Sequence, residues 1–116
     1  MPKDISNNSN KVGVVIPTYN GGDLWQKVVS AIDIQRKYFD KILVIDSGSS
    51  DKTLDIAKKA KFDTITIPSS EFNHGATRNL GVETLNCEII IFLTQDAIPE
   101  ENAIKTIIKA FDNPQI

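Results

Sequence analysis

Ile42-Leu43-Val44-Ile45-Asp46-Ser47-Gly48-Ser49-Ser50-Asp51 places four apolar residues directly before an acid and a run of turn formers. No polar residue alternates with the apolar ones, so the run reads as a strand covered on both faces, the kind a parallel sheet buries. The helical segment Asp51 to Ala60 follows, and this strand–loop–helix unit recurs on either side. Upstream, Val12, Val14, Val15 and Ile16 form a β-branched run that stops at Pro17, and Asn20-Gly21-Gly22 turns the chain. Leu24, Val28, Ile32 and Gln35 then fall at helical spacing, with Trp25, Val29 and Ala31 widening the apolar face. Downstream, a weaker strand from Asp63 to Ile67 closes at Pro68, and a helix runs through Ala76, Leu80 and Leu85. A fourth strand spans Glu88 to Leu93. A final amphipathic helix is expected from Pro99 to Phe111, with Ile104, Ile107, Ile108 and Phe111 facing inward. Crossovers of this length predict an α/β fold, an open, doubly wound, mainly parallel Rossmann-like sheet. Ligands of such sheets bind beyond the carboxyl ends of the strands, where strand order reverses.

The composition suits one such domain. Of 116 residues, 41% are hydrophobic and 24% charged, enough apolar side chains for a single core. A formal charge of -2 argues against a broad basic field for nucleic acid or anionic lipid. Ile89-Ile90-Ile91-Phe92-Leu93 is far shorter than the roughly 20 residues that span a bilayer, so no membrane span is expected. Residues 1–10 are polar and read as a flexible arm without the apolar core of a secretory signal, which predicts a cytoplasmic protein. Cys87 is the single cysteine and opens an apolar strand, so it reads as a small filler residue.

The polar residues gather at the strand ends: Pro17-Thr18-Tyr19-Asn20, Asp46-Ser47-Gly48-Ser49-Ser50-Asp51 and Thr94-Gln95-Asp96-Ala97. The loop Phe72-Asn73-His74-Gly75-Ala76-Thr77-Arg78-Asn79 adds a base and a cation. Together these segments resemble the glycosyltransferase 2 group of GT-A fold enzymes over nearly the whole chain. Phe-Asn-His-Gly-x-Thr-Arg-Asn-Leu-Gly and Leu-Thr-Gln-Asp-Ala bring the resemblance closest to bacterial rhamnosyltransferases. It implies an inverting transfer of L-rhamnose from dTDP-L-rhamnose to a saccharide or lipid-linked acceptor, in surface polysaccharide synthesis, by an enzyme that is cytoplasmic or peripheral at the inner face of the membrane. On this resemblance residues 11–116 are the nucleotide-sugar-binding part of a GT-A domain. The acceptor base is expected after the last helix, so the chain is read as truncated and inactive alone.

The residues carry their own chemistry. Asp46 ends an apolar strand, where its carboxylate can accept hydrogen bonds from a base N–H or a ribose hydroxyl. The resemblance assigns it to nucleotide binding; the turn chemistry of Asp followed by Ser-Gly-Ser-Ser is the competing reading. Asp96 is the catalytic candidate, holding a divalent cation, Mg²⁺ or Mn²⁺, that takes one or two carboxylates plus substrate phosphates. Thr94 stands where the family's first DxD aspartate is expected, so the metal site has less carboxylate support. Arg78 follows His74 by four residues, so on a helix both face one ligand, and Gly75 at the helix start admits a phosphate to the backbone. Arg78 would clamp a diphosphate with its planar fork; a solvated helix charge is the bland alternative. His74 divides evenly between ligand contact and plain loop residue. The resemblance further places Pro17, Thr18 and Tyr19 against the nucleobase, and the Gly48 and Gln95 positions in the same donor site. Tyr19 is equally readable as a half-buried packing residue.

Other classes fit less well. A receiver-like module needs an acidic pair after the first strand, where this chain has Pro17-Thr18-Tyr19-Asn20. A nicotinamide oxidoreductase needs a glycine fingerprint that is missing. A non-catalytic nucleotide-binding or interaction domain of the same fold stays open through Thr94.

Overall fold

The computed structural model describes residues 12–111. Strands β1 (Val12–Thr18), β2 (Lys41–Asp46), β3 (Asp63–Thr66) and β4 (Ile89–Phe92) alternate with helices α1 (Gly22–Asp33), α2 (Thr53–Lys59), α3 (His74–Leu85) and α4 (Ala103–Phe111). Short 3₁₀ turns lie at Arg36–Tyr38 and Ser69–Glu71. The expected N-terminal arm, 1–10, lies outside the described residues.

All three strand pairings are parallel and the order is β3-β2-β1-β4. The chain thus steps outward from β1 through β2 to β3, then returns across the sheet to place β4 on the other side of β1. That return puts the order reversal between β1 and β4, and their carboxyl ends open a crevice there. Period-two alternation sorts the side chains. Val12, Val14, Ile16, Ile42, Val44 and Ile91 pack with Trp25, Val28, Ala57 and Ile104 on the face covered by α1, α2 and α4. Val15, Leu43 and Ile45 pack with Leu85 of α3 on the opposite face, and Leu80 packs against them. The sheet is therefore doubly wound, as the apolar runs of β1 and β2 required.

Two departures from the sequence reading have simple causes. β1 does not stop at Pro17; it continues to Thr18, with Pro17 opposite Ile45 of β2. Leu93 donates its N–H to the carbonyl of Val15, so Val15, and two residues on Pro17, turn their backbone groups toward β4. The β1–β4 pairing runs out at Val15 and Phe92, so the N–H that proline lacks has no ladder to serve. The last helix begins at Ala103, not at Pro99, and its apolar face leaves the core along its length. Ile104 is fully buried, Ile107 and Ile108 are partly buried, and Phe111, expected inward, is 64% exposed. α4 is fastened at its start by Gln35, whose side chain accepts from Ile104 N–H (2.9 Å) and donates to the carbonyls of Glu100 (2.8 Å) and Ala31 (3.0 Å).

α3 approaches β1 closely because Gly81 has no side chain. A Cβ there would lie 2.9 Å from both γ-carbons of Val15. This contact sets the height of α3 above the sheet, and so the position of the residues at its amino end.

Candidate functional site

A cavity of about 710 Å³ opens at the reversal point. Pro17, Thr18 and Tyr19 enter it from the end of β1, and Gln95 and Asp96 from the turn after β4. His74 and Arg78, one turn apart at the start of α3, form a further wall. The expectation that His74 and Arg78 share a face is met, because α3 begins at His74 with Asn73 as its cap. Asn73 Oδ1 accepts the Ala76 N–H at 3.0 Å and the Asn73 carbonyl accepts the Thr77 N–H at 2.8 Å. Among the described residues, the N–H groups of His74 and Gly75 have no such partner, and both point with the positive end of the helix.

The Arg78 guanidinium carbon lies 4.5 Å from the centroid of the Phe92 ring, the last residue of β4. This contact holds the cation against the cavity floor, and no described carboxylate forms an ion pair with it. His74 is held in turn by Phe72, edge to face at 4.8 Å between ring centres. Sequence reasoning did not single out Phe92 or Phe72. The signal was available: Phe92 has the same parity on β4 as Ile90, which packs on the α3 side of the sheet.

Tyr19 is half exposed over the cavity, not packed away. Its backbone is clamped by Gln95, whose Oε1 accepts Tyr19 N–H at 2.7 Å and whose Nε2 donates to the Tyr19 carbonyl at 3.0 Å. The Gln95 amide thus ties the loop after β4 to the loop after β1. Both loops keep their spacing through this one side chain.

Asp46 and Gly48 do not line the cavity. Asp46 is 1% exposed, and its carboxylate accepts four hydrogen bonds from within the fold. The donors are the hydroxyls of Thr18 (2.7 Å) and Ser49 (2.5 Å) and the N–H groups of Gly48 (3.1 Å) and Ser49 (2.8 Å). Gly48 makes this turn with φ +98°, a conformation that suits glycine. Ile42, Val44 and Asp46 fall on the α1 face, whereas Ser47, one residue on, has the parity of Leu43 and Ile45 and lines the cavity. The hydrogen bond from Thr18 to Asp46 and those from Ser47 N–H (3.0 Å) and Oγ (3.2 Å) to the Thr18 carbonyl lock the ends of β1 and β2 together.

A second layer supports that lock from the α1 side. Asp51 accepts from the Thr53 hydroxyl (2.5 Å), the Thr53 N–H (2.9 Å) and the Gly22 N–H (3.0 Å). The hydrogen bond from the Thr53 side chain is the main reason its carboxyl titrates below the ordinary aspartate range. Asn20, at φ +44°, accepts from Ser50 N–H at 2.8 Å and donates its own N–H to Ser49 Oγ at 2.8 Å.

The domain matches the model of glycosyl transferase family 2 over residues 13–116. The chain belongs to glycosyl transferase family 2. Its sequence is 50% identical over 109 residues to the O-antigen chain rhamnosyltransferase RfbN of Salmonella typhimurium, covering 91% of this chain and 35% of that one. It is 37% identical over 106 residues to the O-antigen chain rhamnosyltransferase WbaN of Salmonella anatum, covering 89% and 34%. The chain thus spans about a third of the length of these relatives. In fold it resembles glucosyl-3-phosphoglycerate synthase of Mycobacterium tuberculosis, crystallised with Mn²⁺, UDP and phosphoglyceric acid. The TM-score is 0.75 at 18% identity, covering 92% of this chain and 40% of that one. It also resembles S. aureus TarS, with TM-score 0.72 at 23% identity, covering 88% and 19%.

Within this family-2 domain, Asp96 is exposed in the turn after β4, with Thr94 two residues before it. No group of three or more His, Cys, Asp or Glu side chains among the described residues is arranged to hold a metal ion. A lone carboxylate beside an open cavity fits a cation that arrives with a diphosphate and takes most of its ligands from phosphate and water. It does not fit a preformed cage. No helix among the described residues is long and apolar enough to cross a membrane.

Proposed function

We propose that this domain binds the nucleotide-sugar donor of an inverting glycosyltransferase, with L-rhamnose on dTDP as donor and a saccharide or lipid-linked saccharide as acceptor. The observation that carries the reading is the meeting, in one cavity, of the Tyr19 loop, the α3 amino end with Arg78, and Asp96. The sugar identity is supported by the likeness to rhamnosyltransferases in both Salmonella relatives.

In this reading the nucleobase lies against Tyr19 and Pro17, with Gln95 keeping the loop at the required height. The turn organised by Asp46 and Gly48 delivers Ser47 to the cavity, so these two residues contribute by positioning. The diphosphate lies toward α3, where the free N–H groups and Arg78 offer donors and positive charge. Asp96 would hold Mg²⁺ or Mn²⁺ there with the phosphate oxygens, and such a cation neutralises charge on a departing diphosphate. Arg78 supplies the same stabilisation from the protein itself, fixed by Phe92 before the donor arrives, so little reorganisation accompanies charge development. His74 borders the diphosphate side of the cavity.

Calorimetric titration with dTDP, UDP and GDP, with and without Mg²⁺, tests this. The expected result is preference for dTDP, a gain in affinity with Mg²⁺, and loss of that gain in Asp96→Ala. In an enzyme that joins this domain to an acceptor-binding half, Asp96→Ala is expected to cost roughly 2.7–4 kcal/mol in activation free energy. Tight NAD binding without dTDP binding would overturn the reading, and unchanged kcat in Asp96→Ala would remove Asp96 from catalysis.

A further inference from the structure

We infer that the Thr77 hydroxyl is a ligand-contact group of this cavity, donating to an acceptor oxygen of the bound nucleotide; the inference rests on the nucleotide-donor reading above. Thr77 is 3% exposed, and its Oγ1 is the buried side-chain oxygen among the described residues that has no hydrogen-bond partner. A hydroxyl sealed from water without a partner carries an uncompensated desolvation cost, so its retention calls for a partner that comes and goes.

The local geometry removes the ordinary explanation. A helical threonine commonly returns its hydroxyl to the carbonyl one turn back, here that of Asn73. That carbonyl instead accepts the Thr77 N–H at 2.8 Å, and the hydroxyl makes no bond to it. Thr77 stands as a partition: it lines the 710 Å³ cavity on one side and a recess of about 160 Å³, shared with Ile67, Glu71 and Leu80, on the other. Threonine in a helix populates two χ1 wells, so rotation about χ1 gives the O–H a second staggered position from which to meet a ligand in the cavity that Thr77 lines. Arg78 follows it on the same wall. The positive charge there favours a partner with negative potential, which selects an acceptor oxygen over a donor group. A pyrimidine or ribose oxygen and a diphosphate oxygen both have this chemistry.

The test compares Thr77→Val, which keeps the shape and removes the hydroxyl, with Thr77→Ser, which keeps the hydroxyl. Each is titrated with dTDP, thymidine and inorganic pyrophosphate and melted without ligand. The expected result is that Thr77→Val melts no lower than the unsubstituted protein yet binds dTDP about tenfold more weakly, the worth of one hydrogen bond, while Thr77→Ser retains affinity. Parallel weakening toward thymidine assigns the contact to the nucleoside, and weakening toward dTDP and pyrophosphate alone assigns it to the diphosphate. Unchanged dTDP affinity in Thr77→Val overturns the inference, as does a lowered melting temperature, which marks a structural role. Failure of the unsubstituted protein to bind dTDP overturns the nucleotide reading, and this inference with it.

Discussion

Replacing Asp46 by Asn and by Ala distinguishes a carboxylate that builds the site from one that reads the ligand. In Asp46→Ala the hydroxyls of Thr18 and Ser49 and the N–H groups of Gly48 and Ser49 lose their acceptor. Gly48 is exposed, so its N–H turns to water, whereas Thr18 is 3% exposed and Ser49 is partly buried. Thr18 and Ser49, each left with unsatisfied donors at about 1–3 kcal/mol per residue, give an expected loss of about 2–6 kcal/mol. For a domain of this size that lowers Tm by about 10–25 °C. Asp46→Asn behaves differently. With its amide oxygen toward the two N–H groups and its NH₂ toward the two hydroxyls, which accept as well as donate, every partner keeps a bond. Only the charge assistance is lost, about 1 kcal/mol. Urea melts followed by the fluorescence of Trp25, the single tryptophan and fully buried, measure both variants, and dTDP titration of the folded Asn variant measures the site. The expected Asn variant is slightly destabilised and binds dTDP nearly as well as the unsubstituted protein. An Asn variant of full stability that binds dTDP more than about tenfold more weakly would refute the positioning role and return Asp46 to direct contact with the nucleoside.

Gly81→Ala should destabilise the fold by about 1–2 kcal/mol, since the 2.9 Å approach to Val15 forces α3 outward and the gain in helix propensity offsets only part of it. A companion Val15→Ala that relieves the loss confirms the cause, and a neutral Gly81→Ala argues against close packing at this point. Asp51 has a lowered folded pKa, so it contributes stability above the ordinary aspartate range that disappears as pH falls through its folded value. Asp51→Asn should therefore flatten the acid limb of the stability–pH curve, and an unchanged limb measured by chemical denaturation would exclude Asp51 as its source.

The order of elements was readable from the chain because β1, β2 and β4 are apolar runs, with β3 a weaker strand closed by Pro68, and α1 and α4 carry apolar residues at helical spacing. Burial on both faces of β1 and β2 leaves no other arrangement for such segments than a covered parallel sheet. The boundaries moved where a residue's rule depends on its neighbour. Pro17 stays in β1 because β4 has already ended beside it, and the α4 start is set by the grip of Gln35 rather than by Pro99. The candidate site divides the same way. Tyr19, His74, Arg78 and Asp96 were legible as polar residues at strand ends or a helix start, and all four meet in one cavity.

What the sequence by itself determined was the set of elements, the family, and the end of the sheet at which ligand-facing residues gather. These depend on local periodicity and on motifs contained within single segments. Tertiary structure alone decided which strand-end side chains face the cavity. Asp46 turns to the α1 face and is saturated by Thr18, Gly48 and Ser49, while Ser47 beside it faces the cavity. It also seated Arg78 on Phe92 and left the Thr77 hydroxyl without a partner. These outcomes depend on contacts between segments distant in sequence, made only once β4 lies beside β1 and α3 lies across both.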